Sequence, residues 1–459
     1  MNKLHLFFSL VAVIASTGLS QTTAVNIGET EARMVVCRFM NHRATTGIFK
    51  APNLADLTLA HVERSAVVAN ANDYYAYNVT GDGWVIVAGD DRAVPVLGYS
   101  DHGHLDFEHL PCGFKALTDG YKREMNQLRA HCPEMVPVAQ SLSAPIVAPL
   151  TTTTWGQEMP YNLQCPTSEG QHCRAGCVAV AMAQVMKFWQ YPQSCGTVAS
   201  YYSSKIGTTL PALPPTTFDY NLMLGSYCHW DWANSLLIQD PYTDQQAQEV
   251  AKLMRYCGQA AKMTYGAEAS SAQVAAQFRA IKDFGFRSTA KDVRHDLFGV
   301  SLYNIETWES MMRQELDEGR PILYSALDLS EGAHAFVCDG YDGEGLFHFN
   351  MGWYGNCDGW YVVTALKMSH PQGYQLDFVI NHEMLTGIEP PEGWEPPTHE
   401  PVGDLDGNGR VDIDDLNLLV NLLLELDVSL SPGVQTDLNG DHSVDIADVN
   451  LLVNIILAH

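Results

Sequence analysis

A thiol does nucleophilic chemistry when it is held as a thiolate, and Cys177 stands where that is favoured. It follows Gly176 and opens an apolar run to Trp189 that contains no Pro or Gly before Tyr191-Pro192 stops it. Such a run predicts a buried helix, with Cys177 at the end where free backbone N–H groups and the helix dipole lower a thiol pKa. Taken alone, the stretch reads more readily as a core helix carrying an ordinary buried cysteine. What changes the reading is its company.

A thiol nucleophile needs a base, a group that orients the base, and donors for an oxyanion. Of seventeen histidines, His334 has suitable neighbours in Gly332-Ala333-His334-Ala335-Phe336-Val337, small residues before a strand that leave room beside the ring. Further on, Phe347-His348-Phe349-Asn350-Met351-Gly352-Trp353-Tyr354-Gly355 places an amide and an indole in a glycine-loosened turn. Upstream of the helix stands Trp155-Gly156-Gln157, with Pro160-Tyr161-Asn162 just after it. Each piece alone is weak, since a strand histidine is usually structural and Asn-x-Gly is usually a turn. The chain order Gln, Cys, His, Asn, Trp is that of papain-like cysteine proteases.

The local sequences closely resemble the streptopain family of peptidases: WGQ followed by PYN, GCVAVAMAQVMKFWQYP, GAHAFVCDGY and HFNMGWYGN. The resemblance covers residues from about 146 to 385, and the 73 to 106 region is similar to the family's propeptide. It implies a papain-like α+β fold with Cys177 as nucleophile and His334 as general base. It further implies Gln157 as oxyanion donor with the backbone N–H of Cys177, Asn350 orienting His334, and Trp353 shielding the site. Met351 departs from the pattern, standing where the family often has a second Trp. The implied activity is that of a secreted cysteine endopeptidase made as a zymogen, its own propeptide acting as inhibitor and proteins or peptides as substrates. No catalytic cofactor is called for, and the family preference is for an apolar residue two positions before the scissile bond.

Several elements must position these groups. A chain of 459 residues exceeds one ordinary core, the soft prior being roughly 150 residues per domain. Net charge is −27, which argues against nucleic acid and anionic membrane surfaces as partners. Lys3, the apolar run Leu6 to Ile14 and the small residues to Gln21 read as a secretory signal peptide, residues 1-24. No later stretch is long and apolar enough to span a bilayer, so a secreted or cell-surface location is expected. Residues 25-145 carry a hairpin signal, Tyr74 to Val79 and Gly83 to Ala88 around Thr80-Gly81-Asp82, with a third strand near Val94 to Tyr99. A Pro-rich connector from Pro133 to Pro149 reads as exposed and open to proteolysis. In the peptidase region, 146-386, helices are expected over Asp244 to Ala261 and from Thr307 to Gly319. Strands are expected at Ile322 to Ser325, Ala335 to Cys338 and Leu346 to Phe349. Eleven cysteines, an odd number without regular spacing, leave at least one thiol unpaired within the chain.

Residues 387-401, with five prolines and four glutamates among fifteen residues, predict an extended linker that does not pack. After it, Asp404-Leu405-Asp406-Gly407-Asn408-Gly409-Arg410-Val411-Asp412-Ile413-Asp414-Asp415 recurs 33 residues later as Asp437 to Asp448, each copy leading into a leucine-rich helix. Oxygen side chains at loop positions 1, 3, 5, 9 and 12 match a loop that wraps a hard cation. The segment 402-459 resembles a type I dockerin, a small all-α calcium-binding module. That resemblance implies that Asp404, Asp406, Asn408, Asp412 and Asp415 hold one Ca2+, and Asp437, Asn439, Asp441, Asp445 and Asp448 another. His442 replaces the turn glycine Gly409 in the second loop, and the implied partner is a cohesin-like protein. Two other functions fit the same residues: a catalytically marginal papain-like scaffold acting through its tail, or a Cys-His amidase or acyltransferase.

Overall fold

The computed structural model describes residues 26–45, 52–131, 145–231, 236–364 with short breaks, 382–395, and within 403–457 chiefly two helices and the residues leading into them. The expected signal peptide, the connector between 132 and 144, and Asp404, Asn408, Asp437, Asn439 and Asp441 lie outside the described residues.

Helix α1 (Glu29–Thr45) precedes four strands, β1 (Leu57–Arg64), β2 (Asn72–Val79), β3 (Trp84–Ala88) and β4 (Val96–Ser100). The expected hairpin is β2–β3, with Tyr77 opposite Val85. Next come α2 (Cys112–His131), β5 (Pro145–Val147), α3 (Cys177–Trp189) and α4 (Asp244–Ala260). A capping box starts α4: Thr243 Oγ1 accepts the Gln246 N–H at 3.2 Å, and Gln246 Oε1 accepts the Thr243 N–H at 2.8 Å. After α5 (Ala275–Asp283) and β6 (Lys291–Arg294) comes α6 (Ile305–Asp317). It begins two residues ahead of the expected Thr307 because Asn304 caps it, accepting the Thr307 N–H at 2.8 Å. Strands β7 (Ile322–Asp328), β8 (Gly332–Asp342), β9 (Leu346–Asn350), β10 (Gly359–Val362) and β11 (Glu383–Thr386) complete the α+β body.

These strands form one sheet, ordered β1-β2-β3-β4-β10-β9-β8-β7-β11-β6, with β5 added on β8. The N-terminal strands are therefore continuous with those of the peptidase region. At the seam Gly98 of β4 faces Tyr361 of β10, and a Cβ on Gly98 would lie 2.7 Å from the Tyr361 ring. Side chains alternate across the sheet. Tyr324, Phe336 and Cys338 enter a core shared with Phe114 and Tyr121 of α2, while Leu323, Ala335 and Val337 enter a second core with α3 and α4. The Tyr121 hydroxyl reaches the carbonyls of both seam segments, Leu97 at 3.1 Å and Val362 at 2.6 Å. One core thus spans the boundary drawn from sequence near residue 145.

The linker expectation requires correction. Ile388 is fully buried, the Arg287 guanidinium pairs with Glu389 at 2.7 Å, and the Trp394 indole N–H donates to the Trp189 carbonyl at 3.3 Å. Proline-rich composition describes the backbone but not the apolar anchors within it, so residues 387 to 394 are packed on the peptidase. In the tail, α7 (Ile413–Leu423) and α8 (Ile446–Leu457) close a small core of Leu405, Leu419, Leu438, Val449 and Leu452.

Candidate active site

Cys177 is the first residue of α3, and the turn that delivers it needs glycine. Gly176 has φ 87°, and a Cβ there would lie 2.8 Å from the Met263 sulfur. The helix is buried from Val178 to Met186, and it ends where Gln190 adopts the left-handed conformation, φ 47°. Cys177 itself is half-buried. Burial pushes its thiol up, but the charge and hydrogen bond of His334, with backbone bonds to Ala335 and Val178, bring it below its ordinary range.

His334 is fully buried on β8, opposite Ala326 of β7. Its Nε2 lies 3.1 Å from the Met351 carbonyl oxygen. A carbonyl only accepts, so Nε2 carries a proton and Nδ1 is the ring atom left for accepting one. Met351 is fixed in turn by its own N–H, which donates to Asp358 Oδ1 at 2.7 Å. Burial pushes the Asp358 carboxyl up to about 7 against the pull of that N–H and of His348. The Met351 side chain is buried in the core shared with α2.

The run carrying Gln157 is tied on several sides. Thr151 donates its N–H and hydroxyl to Asp339 Oδ2, at 2.9 and 2.5 Å. The Trp155 carbonyl accepts the Tyr354 N–H at 3.2 Å, and the Gln157 carbonyl accepts the Ala175 N–H at 2.9 Å, two residues before the thiol. Gly156 lies flat on the Tyr354 ring, where a Cβ would come within 2.2 Å, and the Tyr354 hydroxyl accepts the Glu158 N–H at 2.8 Å.

Asn350 is buried beside this run. Its Nδ2 donates to the Thr153 carbonyl at 2.5 Å, and its Oδ1 accepts from Gln184 Nε2 and from the Gly352 N–H, both at 3.1 Å. Trp353 is partly buried, with the Arg174 guanidinium 5.7 Å from its ring centre. The fold thus brings Cys177 and His334 into contact and ties the Gln157 backbone to the approach to Cys177. It directs the Asn350 amide to Gln184 and Thr153, while the bond to His334 Nε2 comes from the Met351 carbonyl. Gln184, Tyr354, Asp358 and Gly113, which lies against the His334 ring, were not singled out from sequence. Only Gln184 left a signal, as a lone amide in an apolar helix that needs partners.

The Peptidase C10 family model matches residues 155–361, a Spi protease inhibitor model matches 24–125, and a dockerin type I domain model matches 402–457. By these matches the chain is a cysteine endopeptidase whose central part is similar to the Peptidase C10 family. Streptopain of Streptococcus pyogenes is 27% identical over 398 residues, 80% of this chain and 94% of that one. The thiol protease/hemagglutinin PrtT of Porphyromonas gingivalis is 29% identical over 330 residues, 67% of this chain, which spans only 36% of PrtT. A prointerpain A fragment of Prevotella intermedia, a cysteine-to-alanine mutant, superposes with a TM-score of 0.57 at 26% identity, covering 72% of this chain and 98% of the fragment. The likeness to this prointerpain fragment and the inhibitor-model match support an N-terminal propeptide-like segment in this chain. No described helix is long and apolar enough to cross a membrane.

Proposed function

We propose that this cysteine endopeptidase is exported as a zymogen and cleaves protein substrates with Cys177 as nucleophile and His334 as base. The carrying observation is the contact between the two, which lowers the Cys177 thiol in spite of burial. His334 takes the thiol proton and the thiolate attacks a peptide carbonyl, forming the S–C bond. The oxyanion is held by Gln157 and the Cys177 N–H. Collapse breaks the C–N bond as His334 protonates the leaving amine; water then adds under base catalysis by His334, the acid is released and the thiol restored. The Met351 carbonyl holds the imidazole through Nε2, with Asn350 bracing the Thr153–Gln157 run and Trp353 flanking the site.

Latency is supported by α2, whose Gly113 lies against the His334 ring. We assign 25-145 as the propeptide, cleaved in the connector, and 402-459 as a calcium module that docks on a cohesin-like protein. Asp415 Oδ1 accepts the N–H groups of Leu405 and Asp406 at 2.7 and 3.2 Å, and Asp448 Oδ1 accepts that of Leu438 at 2.7 Å. A position-12 carboxylate thus closes each loop in a donor set made only of oxygen, which suits a hard cation. Asp404, Asp406, Asn408, Asp412 and Asp415 would hold one Ca2+, and Asp437, Asn439, Asp441, Asp445 and Asp448 the second. Casein digestion by processed and unprocessed wild type and by Cys177→Ala, with and without reductant, tests the enzyme. Digestion surviving the substitution removes the thiol assignment, and equal rates before and after processing remove latency. Unchanged helicity on calcium titration of the 401-459 fragment removes the metal.

A further inference from the structure

Gln184 lies on α3, two helical turns beyond Cys177, and is fully buried. A buried primary amide needs partners at both ends, and those of Gln184 lie on two other elements. Its Oε1 accepts the Thr153 hydroxyl at 2.9 Å and the Trp155 N–H at 3.4 Å, both on the run that leads to Gln157. Its Nε2 donates to Asn350 Oδ1 at 3.1 Å, and Asn350 returns to the same run through Nδ2 and the Thr153 carbonyl at 2.5 Å. One side chain therefore joins the helix of the thiol, the run of the oxyanion donor and the end of β9.

We infer that Gln184 is a positioning residue, which sets the register of the oxyanion donor Gln157 against the thiol of Cys177. The inference rests on the proposed roles of those two residues. Preorganised donors stabilise an oxyanion only where they already point at it, and a misplacement of ~1 Å costs roughly a hundredfold in rate. Because α3 carries both Cys177 and Gln184, clamping the Thr153–Trp155 segment at Gln184 fixes the distance from thiol to donor. Thr153→Val would remove one bond of the clamp, and Gln184→Met all of them at nearly constant volume.

Two reactions of the same thiol separate this role from a structural one. Peptide hydrolysis develops an oxyanion. Alkylation by iodoacetamide does not: the thiolate sulfur forms a bond to the methylene carbon as iodide leaves. Full-length variants would be processed in trans by affinity-tagged wild-type enzyme that is then removed. For Gln184→Met we expect kcat on a peptide substrate to fall roughly ten- to hundredfold, with KM within about threefold. Cys177 alkylation should follow the wild-type rate and pH profile. In a Gln157→Ala background the Gln184 effect on kcat should vanish. Unchanged hydrolysis, parallel loss of alkylation and hydrolysis, or full additivity with Gln157→Ala would each overturn the inference. If Gln184→Met does not fold, Thr153→Val should show the same split at smaller amplitude, and its absence there overturns the inference as well. Hydrolysis that survives Cys177→Ala, or a kcat indifferent to Gln157→Ala, instead removes the underlying roles.

Discussion

Gly113, at the start of α2, lies directly on the imidazole of His334: a Cβ on Gly113 would come 2.3 Å from Cδ2 and 3.2 Å from Nε2. No side chain fits that gap, so Gly113→Ala must displace either the ring or the helix. Overpacking of this kind costs about 1–3 kcal/mol, and here the cost falls on the latent arrangement alone. The unprocessed Gly113→Ala chain should melt several degrees lower than wild type and react faster with iodoacetamide at Cys177. The processed enzyme should be indistinguishable from wild type. An unprocessed variant with wild-type melting and labelling would show that the contact does not restrain the site.

The Cys177 thiol is depressed against the effect of its own burial, and the opposing influence is mainly His334. A depressed thiol is ionised above its lowered pKa and loses reactivity as pH falls through it. Removing the imidazole leaves burial, the largest influence, opposed only by the backbone bonds to Ala335 and Val178, so the thiol rises. Iodoacetamide labelling of processed enzyme at pH 6 should therefore fall at least roughly tenfold in His334→Ala, and its midpoint should move to higher pH. Labelling with an unshifted midpoint would separate the two residues.

The sequence exposed the parts that rest on local pattern. The apolar run after Cys177 predicts a buried helix, and the strand-like runs on either side of Thr80-Gly81-Asp82 predict a hairpin. Pairing β4 with β10 was hidden, because Gly98 and Tyr361 meet only after two distant segments form strands, and composition carries no register between them. The place of Gly113 was hidden for the same reason, since a glycine near a helix start has many local explanations. Gln184 was half visible: its residue type demanded partners, but only the fold supplies Thr153, Trp155 and Asn350. Trp394 was masked by its prolines, which describe how the chain travels and say nothing of where an indole lands.

Asp358 supports the Met351 backbone, whose carbonyl holds His334, and burial raises its carboxyl to about 7. A carboxyl with a folded pKa above its unfolded value contributes stability that is complete below about pH 4 and is lost as pH rises toward about 7. Asp358→Asn keeps an oxygen for the Met351 N–H and cannot ionise. The difference in melting temperature, variant minus wild type, should increase between pH 5 and pH 8 as wild type meets the cost of charging Asp358. His348 and Asp358 shift each other's ionisation, so the difference reports the carboxyl together with its coupling to His348. A flat difference would mean that Asp358 is ionised at no cost.

The segment 387 to 394 holds the C-terminal end of the Cys177 helix. Gly387 N–H donates to Glu315 Oε2 at 2.7 Å, Ile388 is fully buried, and the Trp394 ring meets Tyr191 edge-on at 4.9 Å while its indole bonds the Trp189 carbonyl. Burying an Ile side chain stabilises by about 1.5–3 kcal/mol, and an aromatic pair adds about 0.5–1.5. A chain ended after Thr386, at the boundary the sequence suggests, should therefore be about 3 kcal/mol less stable than one ended after Glu395, with a lower urea midpoint and an unchanged slope. Chain length in the tail cannot produce that difference, because both truncated chains lack the dockerin-like repeats. Adding Trp394→Ala to the longer chain should recover only part of the loss, since Ile388 remains in place; equal midpoints for the two truncations would return the segment to a free linker.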